Sequence, residues 1–231
     1  MTNKSNKALV LLSGGLDSAV VLSICKKNRN EIHAISFDYG QRHQIELEYA
    51  KWQSEFFECE SHKTFNIDFY GGSALTDNID LPNNRDVDSI PKDIPNTYVP
   101  SRNIVFLSFA SGYAESMNID DIFIGVNAID YSGYPDCRHE FIVGFEELIN
   151  KSTKKAIEGK KFKINTPLIN LTKKEIILLG DKNGVDFSMT SSCYNPKNRL
   201  MCRKCDSCLL RKKGFDEAAI IDPAELKDVQ S

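Results

Sequence analysis

The sequence has no apolar run approaching the roughly 18–20 residues that a bilayer span requires, so no membrane-spanning helix is expected among its 231 residues. Its first residues, Met1 to Lys7, are polar and lack the apolar stretch and small-residue cleavage site of a signal peptide. A cytoplasmic protein is therefore expected. It has no excess of positive charge either: the formal net charge is -3. Dedicated nucleic-acid binders usually carry a basic field over much of their surface. Neither nucleic acid nor membrane is expected as a partner. Internal repeats and low-complexity tracts are also lacking. In a reducing compartment, cysteines do not persist as structural disulfides. Of the seven cysteines, four crowd between Cys193 and Cys208 and call for another explanation.

What the sequence does contain is an ordinary globular balance, 41% hydrophobic and 26% charged, in a chain long enough to bury a sizeable core. Short apolar segments at 7–12, 32–37, 63–67, 121–126 and 162–166 have the length of buried strands. Helical spacing separates them, at 17–27, 44–57, 102–118, 139–154 and 172–183. Asp17 and Ser18 open the first helix, and Lys26 and Lys27 close it. Thr172 with Glu175 three residues on is a capping-box pattern. Such alternation predicts an α/β fold, a doubly wound and mostly parallel sheet. Ligands then bind at the carboxyl ends of the strands, which draws the loops after residues 12, 37 and 126 together. Residues 68–100, rich in Asn, Asp and Pro, show little periodicity, and loops of that length in compact domains are usually functional or partly disordered. From Thr190 onward the composition changes, which predicts a main domain over 1–189 and a helical tail over 190–231.

Ser13-Gly14-Gly15-Leu16-Asp17-Ser18 joins the first strand to the first helix. Two glycines allow close backbone approach to a ligand, and the helix start supplies free N–H groups and the positive end of a dipole. Phosphate or pyrophosphate suits that arrangement; the plain alternative is a tight capped turn. There is no Gly-Lys-Ser/Thr as in a Walker A loop, and no Gly-x-Gly-x-x-Gly.

Cys193, Cys202, Cys205 and Cys208 follow Cys-x8-Cys-x2-Cys-x2-Cys. Four thiolates close a tetrahedral site, the usual arrangement for structural Zn²⁺. An iron–sulfur cluster is the rival, but no Cys-Pro follows and the fourth ligand lies upstream. Arg199, Arg203, Lys204, Arg211, Lys212 and Lys213 are at hand in the sequence to offset the site's negative charge. Cys25 and Cys59 read as small buried hydrophobes.

The hexapeptide matches the PP-loop signature Ser-Gly-Gly-x-Asp-Ser, so the chain resembles the PP-loop ATP pyrophosphatases, with an adenine nucleotide alpha-hydrolase-like fold. Further segments narrow this: Asp38-Tyr39-Gly40-Gln41-Arg42-His43, Tyr98-Val99-Pro100-Ser101-Arg102-Asn103, and Gly125 to Arg138. With the cysteine spacing they resemble the nitrile-forming 7-cyano-7-deazaguanine synthase family of queuosine-precursor synthesis, from Leu9 to about Gly214. Ser101 and Arg203 stand where that family often has Gly, and His139 where it often has Pro.

The resemblance implies conversion of 7-carboxy-7-deazaguanine, ammonia and ATP to the nitrile, through an adenylated carboxylate and then an adenylated amide. It implies ATP and Mg²⁺ as cofactors beside Zn²⁺, and a homodimer. Leu12, Ser13, Gly14, Gly15, Leu16, Asp17 and Ser18 would hold the phosphates, with Phe37 and Val126 flanking the adenosine. Asp17 serves either Mg²⁺ or the helix cap. Arg102 would neutralise phosphate or substrate carboxylate, or is simply a helix-start cation. Asp130, Tyr131 and Asp136 are candidates to read the deazaguanine, with Arg138 beside them; Asp136 is equally a turn residue. His43 is a candidate base. Two rivals are a PP-loop tRNA thiolation enzyme, which would rest on Cys137, and a non-catalytic nucleotide or zinc interaction module.

Overall fold

The strand that precedes the glycine loop lies at the centre of the sheet. In the computed structural model, which describes residues 6–29, 31–68, 71–86, 93–128, 133–197 and 199–226, β1 spans Lys7–Leu11. Its neighbours are β2 (Glu31–Asp38) and β4 (Asp121–Phe123). Outside these run β3 (Ser61–Asn66) and β5 (Lys163–Asn165), giving the order β3-β2-β1-β4-β5 with every pair parallel. The order reverses between β1 and β4, which is where a crevice opens at the strands' carboxyl ends.

Side chains alternate across β1. Leu9 and Leu11 face one core with Leu107, Ala110 and Ala114 of α3 (Arg102–Ser116) and Ile142, Phe145 and Ile149 of α4 (His139–Ser152). Ala8 and Val10 face the other core. There they meet α1 (Leu16–Asn28), α2 (Ile45–Phe56), Ile176 and Ile177 of α6 (Lys173–Lys182), and Phe215 of α7 (Asp206–Ala218). α5 (Lys154–Ile157) and α8 (Pro223–Leu226) are single turns.

The expected strands and helices are all present, with shifted ends. β4 stops at Phe123 rather than 126. A Cβ on Gly125 would sit 3.2 Å from the Ser18 N–H nitrogen, so the chain leaves the sheet there to pass the start of α1. The capping box is formed: Thr172 Oγ1 accepts the Glu175 N–H at 3.3 Å, and the Glu175 carboxylate accepts the Thr172 N–H at 2.8 Å. Asp17, expected to open α1, does not cap it; the N-cap is Gly15, with no side-chain cap bond.

In the described part of 68–100 no helix or named strand forms. Ala74 donates to the Asn96 carbonyl at 2.8 Å, closing the segment on itself. Asn83 bridges to Cys205, and Asn84 donates to the Lys204 carbonyl at 2.8 Å. This long loop is therefore docked on the cysteine-bearing tail.

Candidate active site

A pocket of about 230 Å³ opens at the switch point. Leu12, Ser13, Gly15, Leu16, Asp17 and Ser18 form one wall, and Phe37, Val126, Arg102 and His43 also line it. Gly14 lies behind the wall with φ +86°, and a Cβ there would fall 1.9 Å from the Glu46 carbonyl oxygen. Only glycine fits between the loop and the first turn of α2. The two loop serines brace one another: Ser13 Oγ and Ser18 Oγ are 3.1 Å apart, and Ser18 Oγ donates to the Gly15 carbonyl at 3.1 Å.

Asp17 is held by Lys173, whose Nζ donates to its two carboxylate oxygens at 2.7 and 3.0 Å. Lys173 also lines the pocket and is one-tenth exposed. Its position follows from Asn127, whose side-chain amide donates to the carbonyls of Leu168 and Leu171 at 3.0 and 2.6 Å and so fixes the turn before α6. Sequence reasoning missed Lys173. The signal was a lysine at the first position of a capped helix that follows the last strand, a place that aims a cation at the strand ends.

Opposite the glycine loop, Arg102 Nη1 donates to the buried Tyr39 hydroxyl at 3.5 Å. Burial works against the charged guanidinium, but Tyr39, Cys137 and Asp136 outweigh it and hold Arg102 above its ordinary range, a fixed cation. Tyr39, Gln41, Glu46, Asn103, Tyr134 and Tyr194 complete this side of the pocket. The Tyr134 hydroxyl is 2.7 Å from Thr97 Oγ1, which ties the long loop to the pocket wall.

Not every expected residue reaches the wall. Asp136 is buried behind it, where Oδ2 accepts the Asn103 N–H at 3.0 Å and so caps the start of α3. Arg138 is exposed, at the N-cap of α4 and outside the pocket lining. Asp130 and Tyr131 lie outside the described residues. Cys137 lines the pocket, but burial pushes its thiol up to about 12, with Asp136 adding to the effect. A thiol kept protonated is a poor nucleophile or sulfur carrier.

Cys193, Cys202, Cys205 and Cys208 have their sulfurs within 4.8 Å of one another, and the Cys202 and Cys208 sulfurs are 4.0 Å apart. A tetrahedral site with Zn–S bonds of about 2.3 Å needs sulfurs about 3.8 Å apart, so the four residues fit a closed metal site. The Cys202 N–H donates to Cys193 Sγ at 3.1 Å. Cys205 is driven down to about 2 by hydrogen bonds from Cys193 and Cys208, while its contact with Cys193 pushes that thiol up to about 12, and Cys193 and Cys205 together push Cys208 up. The expected pool of neighbouring cations is smaller than the sequence implied. Arg211 is 1% exposed and bound to Asp222 at 2.6 and 2.9 Å, and Arg199 and Lys212 pair with Glu48 and Asp216.

The chain is similar to known proteins over nearly its whole length. A protein from Desulfatibacillum aliphaticivorans named 7-cyano-7-deazaguanine synthase is 52% identical over 226 residues, covering 96% of this chain and 97% of that protein. One of the same name from Hydrogenovibrio crunogenus is 54% identical, covering 94% of each. Among solved structures, NMN synthetase from Francisella tularensis superposes with a TM-score of 0.50 at 17% identity, covering 95% of this chain and 80% of that one. That likeness shows the fold alone, the adenine nucleotide alpha-hydrolase-like arrangement expected from the sequence. The family described as "Queuosine biosynthesis protein QueC" matches residues 7–219, and the chain belongs to that family.

Proposed function

We infer that this chain is an ATP-dependent, nitrile-forming synthase of queuosine-precursor biosynthesis. It makes 7-cyano-7-deazaguanine from 7-carboxy-7-deazaguanine and ammonia. The observation that carries the reading is the pocket between β1 and β4, with a phosphate-binding loop on one wall and the Arg102–Tyr39 pair opposite. A carboxylate is a poor electrophile because its leaving group would be oxide. Transfer of AMP to that oxygen supplies a phosphate-type leaving group. Ammonia then gives the amide, and adenylation of the amide oxygen followed by loss of AMP and a proton gives the nitrile. Both steps activate oxygen on one carbon, so a single site suffices. Positioning and charge neutralisation carry the catalysis.

In this reading Ser13 to Ser18 and Lys173 hold the ATP phosphates, and Phe37 and Val126 flank the adenosine. Asp17 orients Lys173 and the waters of Mg²⁺, since hard cations beside phosphate usually keep several waters. Arg102 meets the phosphates or the substrate carboxylate, as a guanidinium does well. Asp130 and Tyr131 read the deazaguanine, with Arg138 beside them, and Asp136 positions α3 beneath it. His43 removes protons. Zn²⁺ in the four-cysteine site pins the tail. Family resemblance also supports a cytoplasmic homodimer, which light scattering on purified protein would test.

The deciding experiment is incubation with ATP, Mg²⁺, ammonium chloride and 7-carboxy-7-deazaguanine, read by mass spectrometry. Nitrile, AMP and pyrophosphate are expected. Absence of both nitrile and AMP defeats the reading, and ATP binding without turnover favours a non-catalytic module.

A further inference from the structure

His43 is 4% exposed and lines the pocket, yet among the described residues its Nδ1 has no hydrogen-bond partner. Its other nitrogen, Nε2, lies 3.4 Å from Glu46 Oε2. A carboxylate can only accept, so a neutral ring beside it is the tautomer with hydrogen on Nε2 and a lone pair on Nδ1. Buried polar atoms are ordinarily satisfied, and one that is not asks for an explanation. The atom missing from this arrangement is an N–H donor. Glu46 itself lines the pocket from the first turn of α2, whose backbone touches Gly14 of the phosphate loop. It is also close enough to Tyr39 to act on its hydroxyl, and Tyr39 is bonded to Arg102. A carboxylate and an unpartnered imidazole nitrogen thus line the same pocket as the two groups expected to flank the activated carbon.

We propose that His43 and Glu46 form the ammonium subsite, in which Glu46 attracts the cation and His43 Nδ1 takes a proton from it to release the nucleophile. The proposal rests on the nitrile-synthase reading and adds where its nitrogen enters. An ammonium ion is all donor, and needs acceptors to bind and a base to become nucleophilic. One proton passes from ammonium to Nδ1. The freed lone pair forms the C–N bond, the C–O bond to AMP breaks, and its electron pair leaves with AMP. The second surplus proton of the adduct goes to water, as does the proton from His43, so each amide formed from ammonium releases two protons.

The test varies ammonium chloride at fixed pH and ionic strength, with nitrile and amide read by mass spectrometry. His43→Gln and Glu46→Gln are expected to raise the KM for ammonium by about tenfold or more, the loss of one good contact, with the KM for ATP shifting far less. Glu46→Asp should recover part of the loss. An unchanged ammonium KM in both variants overturns the subsite, as does a rise confined to the KM of the deazaguanine carboxylate, which would make Glu46 a base-reading residue. A second measurement needs no variant. In wild-type protein labelled with ¹⁵N-histidine, ammonium chloride should move the His43 Nδ1 resonance and sodium chloride at equal ionic strength should not; equal responses overturn the proposal. If wild type forms no nitrile at any ammonium concentration, the functional reading itself has failed, and the subsite with it.

Discussion

Ser191 donates its backbone N–H to the carbonyl of Gly14 at 3.1 Å, and Gln53 Nε2 reaches the same oxygen at 3.1 Å. The glycine loop is therefore anchored from outside by the segment that leads into the four-cysteine cluster and by α2. With the Glu46 carbonyl in the place of any Cβ, Gly14→Ala must move backbone rather than a side chain. A loss of at least about 100-fold in kcat/KM for ATP is expected, roughly 2.7 kcal/mol, measured by pyrophosphate release. Gln53→Leu, which removes one of the two anchors, should fall between this variant and wild type.

The Lys173–Asp17 pair predicts a matched loss. Removing one preorganised donor aimed at developing charge costs about 10²–10³ in rate, so on the proposed reading Lys173→Met and Asp17→Asn should each lower kcat/KM for ATP in that range. The double variant should be little worse than either single change, because the two side chains act as one unit. Gly214 extends the argument. Gly→Ala inside a helix normally gains about 1 kcal/mol, but a Cβ on Gly214 of α7 would meet Lys173 Cγ at 2.4 Å and Ile177 Cδ1 at 2.9 Å. Gly214→Ala should therefore lower the melting temperature and push Lys173 off Asp17, with a rise in the KM for ATP.

The sheet, the glycine loop and the four-cysteine site were legible in the sequence because each rests on local signals. Buried strands read as short apolar runs, Gly14 marks a turn that no other residue permits, and the ligand spacing of the cysteines is close-range. Lys173 and Asn127 were not legible: 156 residues separate Lys173 from the carboxylate it meets, and 41 and 44 separate Asn127 from the carbonyls it clamps. No periodicity reports such pairs. Asp136 misled for a related reason. An acidic residue after Pro135 in a polar segment looks like a ligand, whereas its carboxylate goes to the start of a helix 33 residues earlier. The cations after Cys193 read in the sequence as an offset to a metal site, but Arg211 is turned inward to Asp222, which sequence proximity could not tell.

Ser101 and Arg203, where the family resemblance implies a frequent glycine, both adopt positive φ, +56° and +60°. Left-handed backbone costs a non-glycine residue roughly 1–2 kcal/mol. Ser101 is the N-cap of α3, but its side chain makes no cap bond to offset that cost. Ser101→Gly is expected to stabilise the protein by about 1 kcal/mol, seen as a rise in the denaturation midpoint. His139 occupies the first position of α4, where proline's fixed φ is tolerated, so His139→Pro should be close to neutral.

His62 on β3 predicts a pH dependence. Ser36 Oγ donates to the Leu12 carbonyl and is 2.7 Å from His62 Nε2, so it accepts from the His62 N–H. Burial holds His62 below its ordinary value of 6.5, with Glu55 opposing the shift. Above 6.5 the ring is neutral in folded and unfolded chains alike and exerts no pH-dependent effect. As pH falls through 6.5 the unfolded chain takes up the proton first, and stability declines until the folded value is passed. Melting temperature in wild type should therefore fall with acid below pH 6.5 more steeply than in His62→Asn. Parallel slopes would remove His62 from the account.

The four-cysteine cluster and the glycine loop share one support, so on the proposed reading metal removal does more than lower stability. Arg211 on α7 lies three residues beyond Cys208. It donates to Thr190 Oγ1 at 2.8 Å, to Ser192 Oγ at 3.4 Å and to the Phe187 carbonyl at 3.0 Å. Those residues flank Ser191, the anchor of Gly14. With zinc in the cluster as proposed, chelation is expected to free the cysteines, let the start of α7 shift and loosen Arg211, so that the 187–192 segment loses its brace and the loop loses Ser191. Asp222→Ala attacks the same brace from the far side. It leaves a buried guanidinium unpaired, at about 3–5 kcal/mol, or a melting temperature lower by roughly 6–20 °C at this size. Elemental analysis of anaerobically purified protein is expected to find one zinc per chain; iron with acid-labile sulfide and no zinc would overturn the zinc assignment. Calorimetric titration with a non-hydrolysable ATP analogue should then show weaker binding after zinc is stripped and recovery when it is restored. Equal affinity with and without zinc would mean that the tail and the loop are mechanically independent.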